Sequence, residues 1–154
     1  MAEMSKKEIR KFLIQGTLTG KLGTVKKDRS PHVVPVWFIL DESNDKRGGG
    51  SKGLGDIVFM TGMDSLKAKN IECCNRVSIC VDDQSPPFSF VTIFGIARIY
   101  QYNQTKLFKW ATKIAERYID KDKAEAYGKR NSGEDEVVIR IKPTRILAEK
   151  DIAN

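Results

Sequence analysis

The sequence predicts a mainly β protein, an antiparallel barrel of six to seven strands with helices appended to it. Three observations carry that prediction. Short runs rich in Val, Ile, Phe and Thr recur along the chain. Most of them are joined by turn-forming clusters short enough for hairpins, such as Lys27-Asp28-Arg29-Ser30-Pro31 and Ser85-Pro86-Pro87. Helical patterns appear at the N-terminus, once in the middle and once near the end, so they do not alternate with strands as a parallel sheet requires.

Taken in order, Ser5-Lys6-Lys7-Glu8 has the Ser-x-x-Glu form of a capping box, and Ile9, Phe12 and Leu13 follow at helical spacing up to Gly16. Thr17 to Lys26 reads as a strand, and His32 to Asp41 as its hairpin partner. Residues 43–55 include Asp45-Lys46-Arg47-Gly48-Gly49-Gly50-Ser51-Lys52-Gly53, which holds no apolar anchor and reads as a mobile Gly-rich loop. It lacks the GxxxxGK[ST] spacing of a P-loop. Asp56 to Gly62 reads as a strand, Ser65 to Cys74 as a helix and Arg76 to Asp82 as a strand. Phe88 to Tyr100 is a long strand with a bulge or bend expected at Gly95. Leu107, Trp110, Ala111, Ile114, Ala115 and Tyr118 recur at helical intervals, Ala124 to Tyr127 adds a second turn of helix, and Asn131-Ser132-Gly133 ends the excursion. Glu136 to Ala148 is the last strand, interrupted at Pro143. With no repeat or linker to divide it, residues 1–154 read as one domain.

Composition excludes several functions. The longest apolar stretch, Val33 to Leu40, is eight residues and contains Pro35, against roughly 20 for a bilayer span. The polar stretch Met1 to Lys11 does not resemble a signal peptide, so a cytoplasmic location is expected. Cys73, Cys74 and Cys80 are odd in number and two are adjacent, which argues against a disulfide framework and for small buried hydrophobes or inert thiols. The only histidine, His32, is too remote from them to complete a zinc site, so no metal is expected, and it has no evident nucleophile beside it. The net charge of +7 would attract anionic partners. The basic residues are scattered, however, and a phosphate-bearing small molecule accounts for them more simply than nucleic acid does.

Chemistry concentrates where the strand Ile57-Val58-Phe59-Met60-Thr61 runs through Gly62-Met63-Asp64 into the helix that begins near Ser65. A strand turning directly into a helix leaves backbone N–H groups unpaired at the positive end of the helix dipole. Thr61 and Ser65 add hydroxyls, and Lys67 and Lys69 add ammonium groups. These are the parts of a phosphate or carboxylate site, although Ser65 or Asp64 as a plain helix cap would produce the same pattern.

Four segments in this order resemble the pyridoxamine phosphate oxidase-like superfamily of flavin-binding split barrels. They are Ser30-Pro31-His32-Val33-Val34-Pro35-Val36-Trp37-Phe38, Thr61-Gly62-x-x-Ser65-x-Lys67-Ala68-x-Asn70, Val81-Asp82-Asp83 with Pro87-Phe88, and Val137-Val138-Ile139-Arg140-Ile141-x-Pro143-Thr144-Arg145-Ile146. The similarity is nearest to the small branch that depends on the deazaflavin coenzyme F-420. The resemblance implies a homodimer with cofactor, FMN or F-420, at the subunit interface. It places Val34, Pro35 and Val36 against the ring, and Thr61, Ser65, Lys67 and more weakly Lys69 at the phosphate. Gln84, Pro87 and Phe88 would approach from the other subunit. Trp37 and Phe88 either stack on or wall the ring pocket or belong to the core, as large aromatics more often do. The basic loop residues Lys46, Arg47 and Lys52 suit the anionic glutamate tail of F-420. Pyridoxamine phosphate oxidases proper carry basic residues on their second strand, where Val34 to Leu40 is uncharged, and a terminal Arg- and His-containing segment, where this sequence reads Ile152-Ala153-Asn154. Vitamin B6 oxidation is therefore not expected. The expected function is hydride transfer between cofactor and a small organic substrate, with the reactive atom on the cofactor and no catalytic side chain assigned. The alternatives are a non-catalytic flavin carrier or sensor and, further off, a basic nucleic-acid-binding barrel.

Overall fold

The computed structural model describes residues 2–43 and 53–154. Within them the chain runs β1 (Ala2–Glu3), α1 (Lys6–Ile14), β2 (Gly20–Val25), β3 (Pro31–Val36), β4 (Ile39–Asp41), β5 (Asp56–Gly62), α2 (Leu66–Cys73), β6 (Arg76–Asp83), β7 (Ser89–Tyr100), α3 (Gln104–Tyr118), α4 (Lys121–Arg130) and β8 (Glu136–Lys150). The strand pairings are antiparallel, in the order β3-β2-β6-β7-β8-β5-β4, and β1 pairs with the end of β8. β3 and β4 stand at opposite edges of that order, yet only Trp37 and Phe38 separate them in the chain. So short a link spans at most ~10 Å. The two edges must therefore lie side by side, and the sheet curls into a barrel split between β3 and β4.

Alternate strand residues fill the barrel: Leu22, Val36, Ile57, Phe59, Ile79, Val81, Val91, Ile93, Ile139 and Ile141 join one cluster, with Phe12 and Leu13 of α1 and Ile71 of α2. Phe38 is fully buried in the same cluster, a burial that contributes about 1.5–3 kcal/mol. β5 is covered on both faces, because Val58 packs outward against Val138 and against Leu107 of α3.

Local signals set several elements as expected. Ser5 and Glu8 form the full capping box of α1, and β5 has the predicted bounds. At Gly95 the β7–β8 register shifts: Phe94 pairs with Arg145 but Gly95 with Pro143, which leaves Thr144 as the extra residue. A Cβ on Gly95 would stand 2.5 Å from the Lys142 carbonyl oxygen, so only glycine fits.

Other expectations need correction. The strand over His32 to Asp41 is two strands, because Phe38 turns into the barrel and carries the chain across the split. β8 is not interrupted at Pro143; the proline sits at the bulge, where the ladder is already broken, and the Thr144 hydroxyl donates to the Phe94 carbonyl 3.1 Å away. The second helical turn is a full helix, α4, held close to α3 by Gly128, where a Cβ would meet Thr112 Oγ1 at 2.0 Å. The cysteines are not buried: Cys73 is exposed and Cys74 and Cys80 are partly so. β1 was not foreseen. The loop assigned to residues 43–55, with Lys46, Arg47 and Lys52, falls mostly on residues 44–52 and so lies outside the described residues. No described helix is long and apolar enough to cross a membrane.

Candidate functional site

β5 delivers Thr61 and Gly62 to one mouth of the barrel, and the chain reverses into α2 within a tight turn. The Ser65 N–H donates to the Gly62 carbonyl (3.0 Å), and the Met63 N–H to the Asp135 carbonyl (2.7 Å). Ser65 caps α2, accepting the Ala68 N–H at 3.2 Å, and its hydroxyl meets that of Thr61 at 3.0 Å. Two hydroxyls share one hydrogen bond between them, so one O–H remains to point at a ligand. The remaining first-turn N–H groups of α2 lie beside it at the positive end of the helix.

A cleft of about 430 Å³ opens at this turn. It is lined by Met60, Thr61 and Gly62 of β5, by Lys67 of α2 and by Pro35, Val36 and Trp37, and Ala111, Ile114 and Ala115 of α3 give it an apolar wall. Asn131 and Glu136 complete the polar end. Small residues at Ala111 and Ala115 leave the space, since a larger side chain on that helix face would fill it.

The Trp37 edge is held by the last turn of α3. The Tyr118 hydroxyl accepts the Phe38 N–H at 3.1 Å and donates to the Leu18 carbonyl at 2.9 Å. The Trp37 ring stacks on Tyr118 with centroids 5.0 Å apart and planes within 7°, and Tyr127 of α4 lies tilted beside it at 6.3 Å. Burial pushes the Tyr118 phenol up, so the hydroxyl stays protonated and keeps this double hydrogen bond. Glu136 is raised too: burial dominates, Lys67 opposes it, and the neighbouring Asp135 and Asp64 add to it.

The structure thus brings Pro35, Val36, Trp37, Thr61 and Lys67 to one cleft, with Ser65 bonded to Thr61 at its edge. Val34 packs toward the barrel core. Lys69 is exposed and does not line the cleft. Gln84, Pro87 and Phe88 lie on the β6–β7 turn, away from the cleft of their own chain; the Phe88 N–H bonds to the Ser85 carbonyl, and the Pro87 and Phe88 carbonyls accept from Ala153 and Ile152. Gly62 lines the cleft as part of the expected turn, whereas Met60, Ala111, Ile114, Ala115, Asn131 and Glu136 were not anticipated as lining residues. The α3 trio had a signal, since small and apolar residues share one helix face; Glu136 had none beyond opening a strand.

A family profile described as pyridoxamine 5'-phosphate oxidase matches residues 5–150. The chain belongs to this family. Its fold recurs in solved structures. A conserved hypothetical protein from Mycobacterium tuberculosis is 24% identical with a TM-score of 0.77, over 96% of this chain and 86% of that one. An F-420 reductase is 23% identical with a TM-score of 0.63, over 88% and 93%. A heme-storage protein from Vibrio cholerae is 16% identical with a TM-score of 0.66, over 92% of each chain. No curated protein sequence matches the chain. Within the pyridoxamine 5'-phosphate oxidase family, the matched region contains every residue that lines the cleft.

Proposed function

We propose that this protein is an oxidoreductase that binds FMN or the deazaflavin F-420 in the cleft and moves a hydride between it and a small organic substrate. One observation carries the reading: the Thr61–Ser65 hydroxyl pair and Lys67 stand at the polar end of the same cleft that Pro35, Val36 and Trp37 wall. An apolar slot with a few converging polar groups is the layout of a cofactor site, and a flavin or deazaflavin has the matching shape, a flat ring joined by a polar chain to a phosphate. Thr61, Ser65 and Lys67 hold the phosphate, with Lys69 as an outer charge. Val34, Pro35 and Val36 present their backbone to the ring. The α3 wall of Ala111, Ile114 and Ala115 excludes water, and Trp37, fixed by Tyr118, sets the position of the ring edge. The bound cofactor supplies the redox chemistry itself. The uncharged run from Val34 to Leu40 offers no cation for a second phosphate, which argues against pyridoxamine phosphate as substrate.

The reading includes a homodimer in which Gln84, Pro87 and Phe88 of a second copy close the cleft. Phe88 is 40% exposed, and Val33 (67%), Phe94 (37%) and Leu147 (42%) stand uncovered on the outer sheet face. Such large exposed apolar groups favour a partner surface. A non-catalytic carrier or sensor is the second reading, favoured by the likeness to a heme-storage protein on the same fold. Heme itself is a poorer fit, because His32 does not line the cleft.

Equilibrium titration of purified apoprotein with FMN and with F-420 tests the proposal. Binding of at least one with Kd below about 100 μM, roughly −5.5 kcal/mol, is expected; failure of both overturns it. Oxidation of the reduced cofactor by candidate acceptors then separates enzyme from carrier.

A further inference from the structure

We infer that the phosphate end of the cleft selects a singly charged phosphodiester over a doubly charged phosphomonoester, and that Glu136 is the residue that sets the preference. The inference rests on the cofactor reading above and goes beyond it, since that reading leaves the two phosphate types equivalent.

Glu136 is the first residue of β8 and pairs in register with Gly62, so the β5–β8 ladder fixes a carboxyl group beside the phosphate turn. The Glu136 N–H donates to the Gly133 carbonyl at 3.0 Å, and the preceding Asp135 carbonyl receives the Met63 N–H, which ties the two turns together. Glu136 and Lys67 line the same cleft. Among the described residues Lys67 is the cation on that lining and is engaged in no ion pair. The charged groups that act on Glu136 are Lys67 from α2, Asp64 from the β5–α2 turn and Asp135 from its own flank. One positive charge therefore faces at least one carboxylate, with two more close by.

A phosphodiester brings one negative charge to Lys67. A phosphomonoester, with a second pKa of about 6, brings nearly two at neutral pH. Its second charge meets no second cation on the cleft lining and is repelled by Glu136. Burial and the aspartates already hold the Glu136 carboxyl above its usual range, which agrees with a pocket that accommodates no further negative charge. F-420 carries a phosphodiester and FMN a phosphomonoester, so this one carboxylate discriminates between the two cofactors.

FMN and its phosphate methyl ester share ring and ribityl chain and differ only in phosphate charge, so they isolate the effect. Affinities of both for the wild-type protein at pH 8 and pH 5.5, and for Glu136→Gln, give the test. At pH 8 the ester is expected to bind wild type more tightly by about fivefold, the size of one unit-charge repulsion at 4 Å in water. The gap should narrow at pH 5.5, below the second phosphate pKa of about 6, where FMN loses most of its second charge. Glu136→Gln should tighten both ligands, FMN more than the ester, because the lost repulsion acts on two charges in one and on one in the other, and the ratio between them should shrink. Equal wild-type affinities for the two flavins at pH 8, or the same ratio in Glu136→Gln, overturn this inference while leaving the phosphate site standing. Binding of neither flavin overturns both. The wild-type comparison needs no variant, so a misfolded Glu136→Gln would not spoil it.

Discussion

Arg117, at the end of the helix that walls the cleft, and Lys67, on the cleft lining itself, spend their donors in opposite ways. Arg117, in the last turn of α3, directs its guanidinium at four backbone carbonyls: Gly16 (3.1 Å), Phe38 (2.9 Å), Leu13 (2.7 Å) and Gln15 (3.3 Å). Three of these are or follow the orphan carbonyls at the end of α1, and the fourth belongs to the β3–β4 crossing. The guanidinium also lies 4.6 Å over the Phe38 ring. Burial lowers its pKa from the usual arginine value, with Tyr118 acting the other way. Among the described residues Lys67 has no such acceptors; it lines the cleft together with Thr61 and Glu136. A cation whose donors are used by the chain serves as scaffold, and one whose donors are free serves a ligand.

Removing each cation tests that contrast, and Arg117 should give the largest effect. Arg117→Ala leaves four carbonyls short of a donor and loosens the crossing that carries Trp37, so a stability loss of about 3 kcal/mol or more is expected by urea unfolding. Arg117→Lys should restore only part of it, because an ammonium cannot span the same fork of acceptors. Lys67→Ala should behave in the reverse manner. Its unfolding free energy should stay within about 0.5 kcal/mol of wild type, while binding of FMN or F-420 weakens by about 1.5–3 kcal/mol, the value of a charged hydrogen bond. Comparable stability losses in the two variants would erase the distinction.

The same contrast explains what could be read from the sequence. The Lys67 turn is local: Thr61, Gly62, Ser65 and Lys67 are near neighbours in the chain, so spacing alone suggested an anion site. The capping box at Ser5 and Glu8 and the bulge at Gly95 were visible for the same reason. Arg117 acts across roughly a hundred residues, and nothing near it in sequence points to α1 or to Phe38. The break at Trp37-Phe38 was hidden likewise, because the one turn-forming residue of that apolar run, Pro35, falls inside β3 and not at the break; only closure of the barrel requires it. α4 was underestimated because its surface is largely polar and it depends on α3 for a packing partner. Glu136 reached the cleft through strand register, which no single segment encodes.

Ser65 belongs to both categories and should show a smaller, mixed effect. Its oxygen caps α2 and also meets Thr61. Ser65→Ala should cost about 1 kcal/mol of stability through the lost cap and should weaken phosphate binding as well. Ser65→Asp separates the two roles. It retains a capping oxygen, so stability should recover, but its charge repels phosphate and cofactor binding should not.

The smallest effect is expected at an ion pair that is half open to solvent. Glu8 completes the α1 capping box, accepting the Ser5 N–H at 2.7 Å, and pairs with Lys150 at the end of β8. The Lys150 hydrogen bond, then the Ser5 N–H, hold its carboxyl down at about 2, below the usual 4.5. Because the folded value is the depressed one, the stabilisation is present above pH 4.5 and is lost as pH falls through about 2. Glu8→Gln keeps a side chain able to close the capping box but has no charge to titrate. The difference in Tm between wild type and Glu8→Gln should therefore be small at neutral pH and shrink toward zero by pH 2, and added salt should reduce it at every pH. A difference that stayed constant across that range would assign the contribution of Glu8 to the cap alone, and would leave the Lys150 pair, unlike the Arg117 fork, with no measurable hold on the fold.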